Sequence, residues 1–299
     1  MHALRTLRST SIASLFAFCG LIAPPGAVAQ AVYATPEAAA DALIDSVARH
    51  DDAELRRVLG PSVDQLAPKG QDAAERRTNF LAAWSRGHKI LPEGSEGARI
   101  EVGDDGWILP IPLVKVAQGW KFNTSAGVEE MRTRRIGRNE LAAIQASLAY
   151  VDAQREYATE DRNNDGVREY AQRVLSSPGQ HDGLYWPTVA GQPESPLGPL
   201  FATRELGVGY HGYHFRILKA QGPNAHGGAR DYVIGGRMRA GFALIAWPVR
   251  YGESGVMTFI VNHRGIVYQK DLGPDTARIA AAAMRFDPGP GWTPVKQGD

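Results

Sequence analysis

Residues 160–174 read EDRNNDGVREYAQRV, and oxygen-bearing side chains fall at every second position: Asp161, Asn163 and Asp165. Gly166 follows at once. This is how a calcium loop opens. Three side-chain oxygens face one side of a tight turn, Gly166 permits the bend, Val167 offers its carbonyl and Glu169 stands at the ninth position. Calcium takes about six to eight oxygens, so the pattern is chemically sensible. The twelfth position, where an EF-hand places a bidentate Glu, holds Gln172, so a further ligand has to come from elsewhere, with Asp182 the candidate. The same residues also describe a plain helix C-terminus, with Asn164 or Gly166 in a left-handed conformation and solvated acids around it.

Other residues with chemical potential are scattered. His181 and Asp182 are adjacent and could serve as acid and base, but neighbours in sequence rarely face each other. With Asp161 and Glu169 they are the acids and bases of a hydrolase reading. His211 and His214 lie three apart in a region expected to be a strand, where that spacing sends them to opposite faces and weakens a zinc site. There is no G-x-S-x-G, no H-E-x-x-H and no phosphate-binding glycine loop. Tyr185 and Trp186 sit in a stretch rich in Gly and Pro, which makes them the candidates for a ligand-contacting surface.

The elements that must position these groups follow from periodicity. Thr35–His50 reads as a helix, with Thr35 as N-cap, Pro36 at N1 and Glu37 in the first turn. Asp51–Leu59 and Asp72–Trp84 are two more. A short strand at Ala98–Val102, an extended stretch at Gly106–Val116 and a returning strand at Trp120–Thr124 make a curved antiparallel hairpin. Helices followed by such a hairpin have the layout of the nuclear-transport-factor-2-like cone. Asn139 to about Thr159 is the strongest helix, capped by Asn139, with Leu141, Ile144, Leu148, Val151 and Arg155 stepping at helical spacing. Strands are expected at 212–218, 231–238, 241–249, 256–262 and 265–272, with NHRG (262–265) as a hairpin turn and a short helix at 275–284. One long helix, an irregular loop and an antiparallel sheet is the layout of a pilin or pseudopilin head. No long apolar helix follows Ala29, so assembly into a filament by the pilin route is not expected. The fold class is α+β, with domains at 30–136 and 137–299.

The first 29 residues read as a signal peptide. Arg5 and Arg8 precede an apolar run, Ser11–Ile22, that Pro24, Pro25 and Gly26 break, and AVAQA supplies small residues for cleavage near Ala29. The run is shorter than the roughly 20 apolar residues of a membrane span. The single cysteine, Cys19, lies inside it, so the mature chain is expected to carry no thiol, no disulfide and no Cys-based metal site. Cleavage removes two arginines and no acid, taking the formal charge from +1 to −1. Charges are mixed along the chain without a basic block, which argues against nucleic acid and against a polybasic membrane surface.

RRIGRNELAAIQASLAYVDAQREYA, DGLYWP, ESPLGPL, GYHFRILKAQGPNAHGGARDYV, RAGFALIAWP and GVMTFIVNHRGIVYQKDLG, in that order, resemble the DUF2950 family of exported bacterial proteins. The resemblance spans roughly Thr35 to Trp292. It implies a periplasmic or secreted location and transfers no catalytic residue. Such proteins often carry an Asp at position 163 and a Gly at 164, where this chain has two asparagines. The expectation is an exported, non-enzymatic binding or structural module, braced by calcium, whose partner is an envelope protein, a peptide or a glycan, with no membrane-spanning segment after cleavage. The alternative is a periplasmic hydrolase acting on cell-wall glycan or peptide.

Overall fold

The computed structural model describes residues 29–66, 70, 72–162, 165–188, 191, 194–198 and 209–296. The segment read as a signal peptide lies outside the described residues but for its last position, and so does Asn163 of the acidic loop. Helices are joined to antiparallel sheets throughout, an α+β chain. It divides into two compact units, Met1–Ala126 and Gly127–Asp299.

In the first unit, helix α1 (Pro36–Ala48) starts where its sequence requires. The Thr35 hydroxyl accepts from Ala38 N at 3.2 Å, and Pro36 takes the first turn, where a missing N–H costs nothing. Helix α2 (Asp52–Leu59) is capped by Asp51, whose carboxylate accepts from Glu54 N at 2.9 Å. After the short α3 (Val63–Leu66), helix α4 (Ala73–Arg86) runs two residues beyond Trp84. Strands β1 (His88–Glu93), β2 (Gly97–Val102), β4 (Leu113–Val116) and β5 (Gly119–Phe122) then form an antiparallel sheet in that order, and β3 (Trp107–Ile108) pairs with β2. In β2, Ala98, Ile100 and Val102 alternate into the core, the period-2 pattern of a half-buried strand. Strand β1 has no apolar alternation of its own, which is why sequence reading passes over it. Its partner β2 holds it in register from His88–Val102 to Glu93–Gly97.

The long helix, α5, spans Thr124–Tyr157, fifteen residues longer at its start than periodicity indicates. The cap is Asn123, whose side-chain oxygen accepts from Ala126 N at 3.2 Å. Charge pairs one turn apart, Glu129–Arg132 and Glu130–Arg134, support its polar first half. Asn139, expected as the cap, lies mid-helix and donates from Nδ2 to Ser254 O at 2.8 Å. The buried face follows the expected stripe only in part. Val151 is in the core and Ile144 and Leu148 pack against it, but Leu141 is 64 % exposed, and Ala143, Ser147, Tyr150, Gln154 and Tyr157 also face inward. Polar clamps explain the rotation. Glu140 Oε1 accepts from Val256 N and Met257 N at 2.9 and 3.0 Å, and Gln154 bonds the backbone of Ala171. Two fixed points on one helix set which side turns to the core.

The second unit's sheet has the order β14-β13-β12-β11-β6, all antiparallel: β6 (Tyr213–Leu218), β11 (Ala243–Pro248), β12 (Met257–Asn262), β13 (Val267–Asp271) and β14 (Thr293–Pro294). Tyr150, Tyr213, Phe242, Leu244 and Phe259 make its core. The span 231–238, expected as one strand, is broken. Gly235 and Gly236, both at positive φ, fold it into a hairpin of β9 (Val233–Ile234) and β10 (Arg237–Met238), while Asp231 pairs as part of β8 (Arg230–Asp231) with β7 (Ala220–Gln221). His211 sits in a turn ahead of β6 at φ +48°, so only His214 of that pair is on a strand. Helix α6 (Thr276–Ala282) is closed by Arg216 of β6, which donates to the carbonyls of Ala280, Ala281 and Ala283.

Candidate functional site

Both aspartates of the acidic loop are engaged by donors. Asp161 accepts from Asp165 N at 3.2 Å and from Gly166 N at 2.7 Å, one bond to each carboxylate oxygen. Asp165 accepts from Val167 N at 3.0 Å and pairs with Arg237 at 2.8 Å. A cation bound through Asp165 would compete with that guanidinium. Glu169 lies close enough to the Tyr157 phenol to act on it electrostatically. No three His, Cys, Asp or Glu side chains gather into a metal-holding group among the described residues.

The neighbouring polar residues are also committed. Asp182, the candidate extra calcium ligand and hydrolase acid, accepts from Ser177 N at 2.7 Å and Ser177 Oγ at 2.9 Å and pairs with Arg173 at 3.2 Å. Burial pushes its pKa up, but the Ser177 bonds and Arg173 outweigh that and hold the carboxyl below its ordinary value. It is an ionised turn-former, opposite to what a general acid needs. Trp186, read as a surface candidate, is 3 % exposed and belongs to the core. Its ring stacks on His181 at 4.3 Å and covers the Arg162 guanidinium at 5.4 Å, with Tyr157 at 5.7 Å from the same cation. Tyr185 is half-buried and packs against that core. Burial, then Glu169 and Asp182, push the Tyr157 phenol up to about 12, so it stays protonated and donates to His181 O at 2.9 Å.

The cationic chemistry converges elsewhere, at the turn joining β12 to β13. Gly265 N bonds Asn262 O at 2.8 Å, and the Asn262 side-chain oxygen accepts from Arg264 N at 3.1 Å. Gly265 takes φ +77°, which other residues rarely adopt. The turn therefore presents His263 and Arg264 side by side. Arg230 reaches His263 Nε2 at 3.2 Å, and Arg155 of α5 bonds His263 O at 3.3 Å. A guanidinium has only donors, so Nε2 must accept and the neutral ring carries its proton on Nδ1. Burial first, then Arg230, with smaller pushes from Arg264 and Arg155, lowers the His263 pKa. Arg155 is shared with Asp152 at 3.3 Å, whereas Arg230 and Arg264 have no acidic partner among the described residues.

Beside the turn is a cleft of about 90 Å³. Its lining combines the polar Asn224, His226, Asn262 and Arg264 with the apolar Ile266, Tyr268, Phe286 and Pro288. Asn224 is held by Asp287, which accepts from both its backbone and its amide. Asn262 is 2 % exposed, and its Nδ2 has no hydrogen-bond partner; it nears the Tyr232 phenol and lowers that group's pKa slightly, against the larger rise that burial imposes.

A family model described as a protein of unknown function (DUF2950) matches residues 30–295. The chain belongs to the DUF2950 family. No curated protein and no solved structure matches this DUF2950 chain. No helix among its described residues is long and apolar enough to cross a membrane.

Sequence reading missed this site because Arg155, Arg230 and Arg264 are far apart along the DUF2950 chain and form no basic block. The available signal was the NHRG turn, which places a His and an Arg together at a strand reversal. The site also has a pH signature. His263 and, through burial alone, His214 both have lowered pKa values. Below about pH 6.5 the unfolded chain takes up protons that the folded chain refuses, so stability falls with pH from there down through the folded values. Melting temperature is expected to drop between pH 7 and 5, and His263→Gln to flatten that drop. A level profile in the parent protein would remove the argument.

Proposed function

We propose that this is an exported envelope protein that binds rather than catalyses, gripping an anionic partner through the cationic face around His263. The observation that carries the reading is the convergence of Arg155, Arg230 and Arg264 on one neutral histidine. Like charges brought together repel one another, and an anion relieves that repulsion. Arg230 and Arg264 are exposed, so the anion can reach them. Export rests on the signal-like N-terminus. The acidic groups of the hydrolase alternative support binding instead, since Asp161 and Asp182 are engaged by N–H and hydroxyl donors. Calcium is not needed for the reading, because Arg237 already balances Asp165.

The test is cosedimentation of the mature protein with purified cell-wall sacculi. Binding should weaken as salt rises, because exposed charges are screened over about 8–10 Å near physiological ionic strength. It should fall at least tenfold in the double variant Arg155→Gln/Arg230→Gln. Salt-independent binding, or a double variant that pellets like the parent, would overturn the reading.

A further inference from the structure

We infer that the cleft beside the Asn262–Gly265 turn captures the terminal carboxylate of a short peptide whose last residue is small and apolar. This rests on the anion-binding reading and specifies its ligand. The polar lining supplies donors of the right kind: the Arg264 guanidinium and the Asn224 amide. Arg264 is exposed and without an acidic partner among the described residues, so its planar fork is available for a carboxylate. Asn224 is held in place by Asp287, which leaves its geometry set before a ligand arrives.

The apolar lining decides between anions. Ile266 is 39 % exposed, and Tyr268 meets Phe286 edge to face at 6.0 Å. A phosphate ion would leave that apolar surface wet, whereas a carboxylate carrying a small apolar side chain covers it and puts its charge on Arg264. Size points the same way. At about 90 Å³ the cleft is well below the roughly 300–1,000 Å³ of sites for whole drug-sized molecules, so it holds one terminal residue and leaves the rest of the chain outside. The structural alternative, a solvent-filled dimple, needs neither an arginine without an acidic partner nor apolar side chains lining the same cleft.

The experiment is titration of the mature protein with N-acetyl-Ala-Ala carrying either a free or an amidated C-terminus, and separately with inorganic phosphate. The readout is the side-chain amide signals of Asn224 and Asn262 by heteronuclear NMR. The free acid should shift both signals saturably, and the amidated peptide should bind about tenfold more weakly or worse, the loss expected for one charge-assisted contact. Arg264→Gln should abolish the difference between the two peptides, and Arg264→Lys should restore it in part. Arg264 is exposed, so both variants are expected to fold, checked by an unchanged melting temperature. Equal binding of acid and amide would overturn the inference, as would binding of phosphate alone or no shift at all. The sacculus experiment uses other arginines, so it judges the broader reading independently.

Discussion

Gln154→Leu should cost the second unit about 3–5 kcal/mol, enough to bring a typical domain close to unfolding. Leucine nearly matches glutamine in size, so packing changes little and the loss is one of hydrogen bonds. Gln154 is fully buried on α5. Its Nε2 donates to Ala171 O at 2.8 Å and to Tyr150 Oη at 3.0 Å, and its Oε1 accepts from Ala171 N at 2.8 Å. Tyr150 in turn donates to Ala243 O at 3.2 Å, which ties helix, irregular segment and sheet into one network. Leucine strands both polar groups of Ala171 in the interior, and each such group costs about 1–3 kcal/mol. The midpoint of urea unfolding measures the effect. A loss under about 1 kcal/mol would mean that another group or a water satisfies Ala171, and that the clip is dispensable.

Gly241→Ala should destabilise the protein by about 2–5 kcal/mol and weaken ligand binding at the same time. Gly241 has φ +136°, a region that L side chains rarely enter. A Cβ there would lie 2.8 Å from His263 Nδ1 and 2.8 Å from Tyr232 Cε1. Neither ring can step aside cheaply. Tyr232 is fully buried and donates to Gln221 Oε1 at 2.9 Å, and His263 is held by Arg230. Moving His263 moves the turn, and with it Arg264. The comparison is Gly252→Ala, at φ +74° with nothing within 4 Å of the new methyl, where backbone strain of about 1 kcal/mol is all that should appear. Thermal melts and the peptide titration read both effects. If the two alanine variants behave alike, the close approach of residue 241 to His263 has no energetic weight.

The parts of this fold that were legible in the sequence are those where local chemistry decides structure. Thr35 and Asp51 cap their helices as their types demand, and the NHRG turn closes where Asn and Gly allow it. Distant partners decided the rest. Leu141 misleads as a marker of the buried face of α5, because Glu140 and Gln154 fix that face by bonding to residues 256, 257 and 171. Asp161 and Asp165 look like metal ligands by spacing, yet the carboxylate of Asp165 is paired with Arg237, seventy-two positions away. Trp186 looked like a surface residue because glycines and prolines flank it, and Arg162 draws it inward. The cationic site was illegible for the same reason, since no window of sequence contains its three arginines together.

The turn at Asn262–Gly265 also bears on how this protein can change over time. Its geometry asks for Asn262, whose side chain accepts from Arg264 N, and for Gly265, whose φ is positive. Position 264 enters the framework through its backbone alone, whereas the His263 ring packs against Tyr232 and Phe242. The exposed side chain at 264 can therefore be exchanged while the strands on either side keep their register. A chain built on this plan can change the charge it presents at the turn by substitution of a single codon, with the sheet behind it unaltered.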